Sequence, residues 1–376
     1  MDILKEIVSA LETEERVMLA TIISTNGSTP ASALSKMLVE NGGKNWLGTV
    51  GGGCVEGDVL QEAIRLYNSD IATILTFELN ETNLDQGLIC GGKLDVLIEP
   101  LFKKDIALFK ELKVIRDEGD DCILATLTWQ NGCVAGKTYL SMKSDWKNGM
   151  REWWNHVGQP NASTVDSTIR KIEEAVAKAH HRNETRRITV EQGELILEPL
   201  SGMPHLVIFG GGHVSKYVSR TASMAGFRIT IIDDRSEYAN AQRFPEADCT
   251  LAVEFSDAFQ HFEIKPSTYI VIVTRGHRSD EEILERVISS PAKYIGMIGS
   301  QRKVLTTYKH LMERGVSAEK LKRVHAPIGI EIGATTAEEI GVSVTAQLIA
   351  VRRGKVDEQK NKSDDMAGLI AQSAQI

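Results

Sequence analysis

The feature that most constrains the fold is a glycine-rich loop between two apolar runs. Residues 206–215 read LVIFGGGHVS, and residues 229–234 read ITIIDD. An apolar strand, three glycines, a helix and a second strand that ends in an acid are typical of a dinucleotide-type βαβ unit. The pattern therefore predicts a Rossmann-like parallel sheet in this part of the chain.

The same loop predicts an anion-binding site. Gly210, Gly211 and Gly212 let the backbone turn tightly and approach a phosphate, and a helix that begins near His213 directs its free N–H groups at the anion. Asp233 ends the second strand, where folds of this type place the acid that binds a ribose hydroxyl. These five residues form the first candidate site.

Strands and helices alternate between residues 203 and 353, which predicts an α/β fold with a doubly wound parallel sheet. Residues 1–200 mix strands, helices and glycine-rich turns and predict an N-terminal α+β domain, with a further subdivision near residue 102. Residues 145–165 are rich in Trp, Asn and Gly and are expected to form a surface excursion. Residues 354–376 are expected to form a polar tail, and no internal repeat is evident.

Composition excludes several classes of protein. The net charge of −8 argues against a nucleic-acid-binding surface, and the chain has no apolar run long enough to span a membrane. Its beginning, MDILKEIVSALETEERV, has the pattern of an amphipathic helix and lacks the apolar region of a signal peptide. Five scattered cysteines fit a reducing compartment, so a cytoplasmic location is expected.

Polar side chains also follow the later strands of the predicted sheet. Arg275 and His277 follow the fourth strand, Arg302 follows the fifth, and His325 lies in a proline-containing segment further on. Because ligands bind at the carboxyl ends of parallel strands, all four are candidates for contacts with an anion. The alternatives are solvated loop residues for the first three and a packed core histidine for His325.

Two cysteines lie in glycine-rich loops of the N-terminal part. Cys54 follows three glycines, and Cys90 precedes two. Thiolates suit soft metal centres and sulfur transfer, so both are candidate ligands for such a group. The alternative is that both are small buried residues at tight turns. Glu56 is interpreted as an acid favoured at a helix N-terminus.

Long motifs in a consistent order carry a resemblance to a known family. They are GGCVEG at 52–57, GLICGG at 87–92, TRGH at 274–277, YIGMIGSQRK at 294–303 and HAPIGIEIGATTAEEI at 325–340. With the glycine loop, these motifs make the chain similar to the XdhC/CoxI family, the accessory factors of xanthine dehydrogenase and related molybdenum hydroxylases.

The resemblance implies a cofactor chaperone rather than a turnover enzyme. Such a protein binds molybdenum cofactor, as molybdopterin or its nucleotide form, supports its sulfuration and delivers it to a hydroxylase such as xanthine dehydrogenase. A cysteine desulfurase is the implied second partner, and a homodimer is expected. The residues themselves leave two alternatives open, namely an NAD(P)-dependent oxidoreductase and an interaction scaffold without a ligand.

One region departs from the family pattern. The family motif GS-x-P, which this chain has at 27–30, commonly continues with Arg and, three residues later, Gly. This chain has Ala31 and Leu34 at those two positions. If that arginine contacts an anionic ligand in the family, this chain lacks the contact.

Overall fold

A computed structural model describes residues 2–78, 92–143, 145–158 and 165–355. The chain divides into two compact units, Met1–Gly202 and Met203–Ile376, called here the N-terminal and the C-terminal unit. Antiparallel sheets form the first unit and a parallel sheet forms the second, so the predicted fold class is confirmed.

The described part of the N-terminal unit contains two antiparallel sheets covered by helices. Its elements are α1 (Ile3–Thr13), β1 (Arg16–Asn26), β2 (Lys36–Glu40), β3 (Asn45–Gly48), α2 (Gly53–Leu66), β4 (Thr73–Glu78), β5 (Lys93–Phe102), α3 (Ile106–Asp117), β6 (Cys122–Trp129), β7 (Val134–Ser141), α4 (Trp146–Val157), α5 (Val165–Arg182), β8 (Arg186–Val190) and β9 (Gly193–Leu200). The strand orders are β3-β2-β1-β5-β4 and β7-β6-β9-β8. Side chains of α2 pack on the first sheet, and those of α4 and α5 pack on the second.

The expected surface excursion at 145–165 is wrong for the residues that the structure describes there. Residues Trp146–Val157 form α4, and Trp154 and Met150 are buried in the core of the second sheet. Tryptophans one helical turn from a methionine supply the apolar face that this short helix needs, although Asn and Gly lower its intrinsic propensity. Residues 159–164 lie outside the described part of the chain.

The described part of the C-terminal unit is a parallel sheet with helices on both faces. Its elements are β10 (His205–Phe209), α6 (His213–Met224), β11 (Arg228–Asp233), β12 (Cys249–Ala252), β13 (Thr268–Ile272), α7 (His277–Val287), β14 (Tyr294–Met297), α8 (Gln301–Glu313), α9 (Ala318–Leu321), β15 (Val324–His325) and α10 (Ala337–Arg352). The strand order is β12-β11-β10-β13-β14-β15, and every pair of neighbours is parallel.

Strand β10 shows why this segment is a continuous apolar run. Val207 and Phe209 pack into the core on one face of the sheet, and Leu206 and Ile208 pack into the core on the other. A strand with helices on both faces has no solvent side, so period-2 alternation of polarity disappears. The order of strands reverses between β10 and β13, and doubly wound sheets bind their ligands at such a switch point.

Candidate functional site

The candidate site is the edge of the parallel sheet where β10, β11, β13 and β14 end. Three helices start there, since α6 follows β10, α7 follows β13 and α8 follows β14. Each helix start presents backbone N–H groups and the positive end of a helix dipole, which together favour anions.

The first two glycines of the loop are required by close packing within the chain. Gly210 has a φ of 103°, and a Cβ there would lie 2.5 Å from the Val273 carbonyl oxygen. A Cβ on Gly211 would collide with the backbone of Tyr238. The N–H groups of both glycines also donate within the protein, Gly210 to the Ile232 carbonyl at 2.7 Å and Gly211 to Asp233.

Gly212 differs from its two neighbours. Apart from adjacent residues, no atom of the described residues lies within 4 Å of the position that its Cβ would occupy. It is the N-cap of α6, and no described side chain caps it. The open side of the loop therefore lies at Gly212 and the exposed His213, where a ligand can approach the backbone closely.

Asp233 makes its hydrogen bonds within the protein at this edge. Its Oδ2 accepts the Gly211 N–H at 2.7 Å, and its Oδ1 accepts the Nε–H of Arg235 at 2.8 Å. Burial raises the pKa of this carboxyl, but the hydrogen bonds from Arg235 and Gly211 outweigh burial and hold the pKa below its usual value. With 2% of the residue exposed, the carboxylate is directed at the protein's own loop. Binding of a ribose hydroxyl by Asp233 stays a prediction, and it would compete with these two hydrogen bonds.

Two arginines for which the sequence predicted no role connect the loops at this edge. Arg235 lies over the Tyr238 ring, 3.5 Å from its centroid, while it binds Asp233. The Arg243 Nε–H donates to the Gly211 carbonyl at 2.9 Å. An arginine two residues after the strand-ending acid was the only local signal for the first contact. The second joins residues 32 positions apart, which no local pattern indicates.

The residues that follow β13 lie at the same edge. The Arg275 side chain is 61% exposed and pairs with Asp234, with 2.7 Å between Nη2 and Oδ2. His277 is the first residue of α7 and is exposed. Arg302 is likewise exposed, in the first turn of α8. All three remain candidates for contact with an anion.

A buried ion pair behind these residues was not predicted. Asp280 is fully buried and accepts hydrogen bonds from the Thr274 hydroxyl at 2.6 Å and the Thr274 N–H at 3.3 Å. Its other carboxylate oxygen pairs with the ammonium group of Lys303. The pair joins the loop after β13 to α8, so it positions the TRGH turn.

His325 is packed rather than directed at this edge. It lies in β15 with 8% of its surface exposed and stacks on Tyr294, with ring centroids 4.6 Å apart. The packing favours the alternative of a packed core histidine, and contact of His325 with a ligand stays a prediction.

The loop that carries Cys54 is open and belongs to the N-terminal unit. Gly51, Gly52 and Gly53 all have positive φ, and Cys54 is partly exposed in the first turn of α2. Glu56 accepts a hydrogen bond from the Thr49 hydroxyl, which ties the loop to the helix start. Cys90, the second candidate thiol, lies outside the described residues.

Leu34, one of the two residues that depart from the expected family pattern, has a φ of 70°. This left-handed conformation favours glycine, because a Cβ crowds the following carbonyl there. The backbone geometry of the turn is therefore the one that a glycine would adopt, with a leucine in its place. Ala31 lies in the same turn and is partly exposed.

The described residues contain neither a metal-binding cluster nor a membrane-spanning helix. Residues 2–78, 92–143, 145–158 and 165–355 contain no group of three or more His, Cys, Asp or Glu side chains arranged to hold a metal ion. In the same ranges, no helix combines the length and apolar character needed to cross a bilayer.

Comparisons with known proteins agree with this architecture. Residues 206–348 match the XdhC Rossmann domain, and residues 10–78 match the XdhC and CoxI family. The chain is 26% identical over 350 residues to a probable xanthine dehydrogenase subunit of Bacillus subtilis strain 168, a match that covers 91% of this chain and 95% of that protein. It is 36% identical over 150 residues to the uncharacterized protein YqeB of Escherichia coli K12, which covers 40% of this chain and 27% of YqeB.

A solved structure has the same fold over nearly the whole length. The crystal structure of a xanthine dehydrogenase from Bacillus halodurans superposes with a TM-score of 0.69 at 23% identity, covering 93% of this chain and 96% of that chain. Fold and site thus define a two-unit protein with an N-terminal antiparallel unit and a Rossmann domain that has an open glycine loop. The chain belongs to the XdhC/CoxI family.

Proposed function

We propose that the protein is an accessory factor of the xanthine dehydrogenase type, which binds molybdenum cofactor, supports its sulfuration and delivers it to a molybdenum hydroxylase. Membership of the XdhC/CoxI family supports this proposal, as does a relative named as a probable xanthine dehydrogenase subunit over 91% of the chain. The proposed partners are a hydroxylase such as xanthine dehydrogenase and a cysteine desulfurase.

The observation that carries the cofactor proposal is the open position at Gly212. Molybdopterin bears a phosphate, and its nucleotide form bears a pyrophosphate, so either form brings an anion that suits a helix N-terminus. A backbone without a Cβ and without close neighbours leaves space for phosphate oxygens beside the N–H groups of Gly212 and His213. The residues present therefore fit the anionic end of this cofactor.

Exposed cationic side chains at the same edge extend this fit. Arg275 and Arg302 supply planar donors of the kind that bind phosphate or carboxylate oxygens, and His277 supplies a ring nitrogen. When bound, the cofactor supplies the molybdenum centre, and these side chains hold and orient its anionic groups. Cys54 is proposed separately, within the N-terminal unit, as the thiol that takes part in sulfuration.

The position of Asp233 disfavours a nicotinamide cofactor. NAD recognition in this fold uses the strand-ending acid to bind the ribose 2′-OH. Here that acid already accepts hydrogen bonds from Gly211 and Arg235. Binding of a ribose through Asp233 would require both contacts to be exchanged.

Replacement of Gly212 by alanine tests the proposal. The protein is expressed with a supply of cofactor, and its pterin content is measured by fluorescence after oxidation. Because the added methyl group has no neighbours in the chain, Gly212→Ala is expected to fold while it blocks the approach of a phosphate. We expect bound pterin to fall at least about tenfold, which corresponds to about 1.4 kcal/mol.

Gly149→Ala is the matched control, since this glycine of α4 also has no neighbour near its Cβ position. It is expected to retain its pterin. A wild-type protein without pterin under cofactor supply contradicts the proposal. Tight NADH binding with substrate turnover would favour an oxidoreductase, and equal hydroxylase activation by wild type and Gly212→Ala would favour a scaffold.

A further inference from the structure

The two sheets of the N-terminal unit have the same topology. Without β3, the first reads β2-β1-β5-β4, and the second reads β7-β6-β9-β8. The corresponding neighbours are antiparallel in both sheets. A helix precedes each set of strands, α1 before β1 and α3 before β6, and a longer helix packs on each sheet.

The register of the strands is also the same. Leu19 lies opposite Glu99 in the first sheet, as Leu124 lies opposite Glu198 in the second. The equivalent segments read VMLATII at 17–23 and CILATLT at 122–128, and both sheets contain Glu-Pro-Leu, at 99–101 and 198–200. The identities are few and lie in two short segments. This explains why no internal repeat is evident from the sequence alone.

Buried ion pairs connect the two sheets reciprocally. Lys36 lies opposite Thr21 in the first sheet, and its Nζ is 2.6 Å from an oxygen of Glu198 in the second. The second sheet repeats the arrangement, since Lys137 lies opposite Thr126 and pairs with Glu99 of the first.

These four charged side chains are between 3% and 8% exposed. Each lysine is also bonded to the threonine opposite it, Lys36 to Thr21 at 2.9 Å and Lys137 to Thr126 at 3.2 Å. Each sheet therefore contributes a lysine, a threonine and a glutamate at equivalent positions of the interface.

Apolar contacts between the two sheets follow the same symmetry. One core cluster contains Leu19 and Leu101 of the first sheet together with their counterparts Leu124 and Leu200 of the second, and both α1 and α3 contribute to it. An open cavity of about 430 Å³ lies at the junction, lined by Leu97 and its counterpart Ile196. Equivalent residues thus meet each other at this junction.

We infer that the N-terminal unit is an internal dimer, in which two copies of one α/β element, residues 3–102 and 106–200, dock on each other. In a two-fold interface, the same patch occurs on both partners, and residue i of one contacts residue j of the other in both directions. The partner that fits the face formed by β1, β2 and β5 is therefore a second copy of the same element. The buried lysines and glutamates fix the geometry of docking, a role that buried charges take in some assemblies.

The two copies differ on the side away from this interface. Copy one has β3 and the open loop Gly51–Cys54 before its packed helix α2, whereas copy two has α4 with the buried Trp154 before α5. We assign copy two the role of a docking partner that stabilises copy one. Copy one is the copy that carries the open loop.

Charge exchange in the full-length chain tests the inference. All five tryptophans lie between residues 46 and 154, so tryptophan fluorescence during urea unfolding reports on the N-terminal unit. Lys36→Glu leaves two buried carboxylates together and is expected to lower the urea midpoint by about 1–2 M. Glu198→Lys in the same chain is expected to restore most of that loss.

The second ion pair is expected to behave in the same way. Lys137→Glu should lower the urea midpoint, and Glu99→Lys in the same chain should restore most of that loss. The mismatched combination Lys36→Glu with Glu99→Lys serves as control and is expected to be less stable than either single variant. Rescue of one pair but not the other, or rescue by the mismatched combination, would overturn the inference.

Exchange of strand segments provides a second test that does not involve charge. Residues 195–200, LILEPL, are replaced by VLIEPL from residues 96–101, which keeps the glutamate, the proline and the inward positions. This variant is expected to keep a midpoint within about 1 M of wild type. The same six residues placed at 194–199 shift the register by one and are expected to prevent folding, because a slip by one residue reverses the faces of the strand. Equal stability of the two variants would contradict the inference.

Discussion

At the scale of single residues, His205 shows how burial controls a charge. It is 6% exposed at the start of β10, and its Nε2 lies 2.8 Å from the Thr230 hydroxyl. Burial, reinforced by Arg228 and Lys265, lowers the pKa of His205 to about 3. The folded protein therefore holds this ring neutral at pH values where the unfolded chain protonates it.

The consequence is a loss of stability in acid. Since the unfolded chain binds the extra proton, the contribution of His205 is complete above about pH 6.5 and falls by up to about 1.4 kcal/mol per pH unit below it. We expect His205→Gln to lose this part of the dependence between about pH 6.5 and 4. Urea unfolding of the C-terminal unit, followed by circular dichroism, measures it. The exposed His181→Gln is the control and should keep the wild-type dependence on pH.

Leu34 carries a second prediction at this scale. The left-handed φ of 70° destabilises the folded state by about 1–2 kcal/mol when the residue is leucine. A glycine avoids this strain, but it loses more conformational entropy on folding, which costs about 1 kcal/mol. Leu34→Gly is therefore expected to stabilise the N-terminal unit by up to about 1 kcal/mol in urea unfolding followed by tryptophan fluorescence. Ala33→Gly, one residue earlier without a positive φ, gains no relief of strain and should be destabilising. Equal effects of the two substitutions would show that strain at Leu34 is unimportant.

At the scale of elements, the pair Asp280–Lys303 holds the TRGH turn against α8. Asp280→Asn leaves the ammonium group without its counter-charge, and Lys303 is only 15% exposed. Removal of one partner from a buried pair typically costs about 3–5 kcal/mol. We expect a loss near the lower end of this range in urea unfolding monitored by circular dichroism.

Glu282→Gln is the matched control on the same helix. Its partner Arg278 is 93% exposed, so the pair should contribute less than about 1 kcal/mol. A similar effect of both substitutions would mean that the buried pair does not stabilise the turn.

Elements were predictable from the sequence where one local signal dominated. The sequence predicts a helix at residues 106–117 and a strand at 122–129, and α3 and β6 have these bounds. Helix α4 was missed because its burial depends on contacts with a distant sheet. Strand β15 was missed because two residues, Val324 and His325, are too short a run to show a period.

The sequence predicts which residues lie at the candidate site, but it does not predict the contacts that each of them makes. Glycines at strand ends are visible in the sequence, yet only the packing around them separates Gly212 from Gly210 and Gly211. The engagement of Asp233 by Arg235 depends on side-chain direction, which spacing alone does not determine.

At the scale of the whole molecule, the sequence indicates the alternation of the C-terminal unit but conceals the symmetry of the N-terminal one. Alternating strands and helices make the parallel sheet predictable, because each element carries its own signal. The ion pair between Lys36 and Glu198 joins residues that are far apart in the chain, and its counterpart is recognisable only when the two sheets are compared.

The tryptophans are confined to one of the two units, so intrinsic fluorescence comes mainly from that unit. Every tryptophan belongs to the N-terminal unit, whereas the open glycine loop at Gly212 belongs to the other. A pterin held at that loop would accept excitation energy from tryptophans that all belong to the other unit. Quenching of the tryptophan emission by the bound pterin would then report the separation of the two units in solution, without any added label.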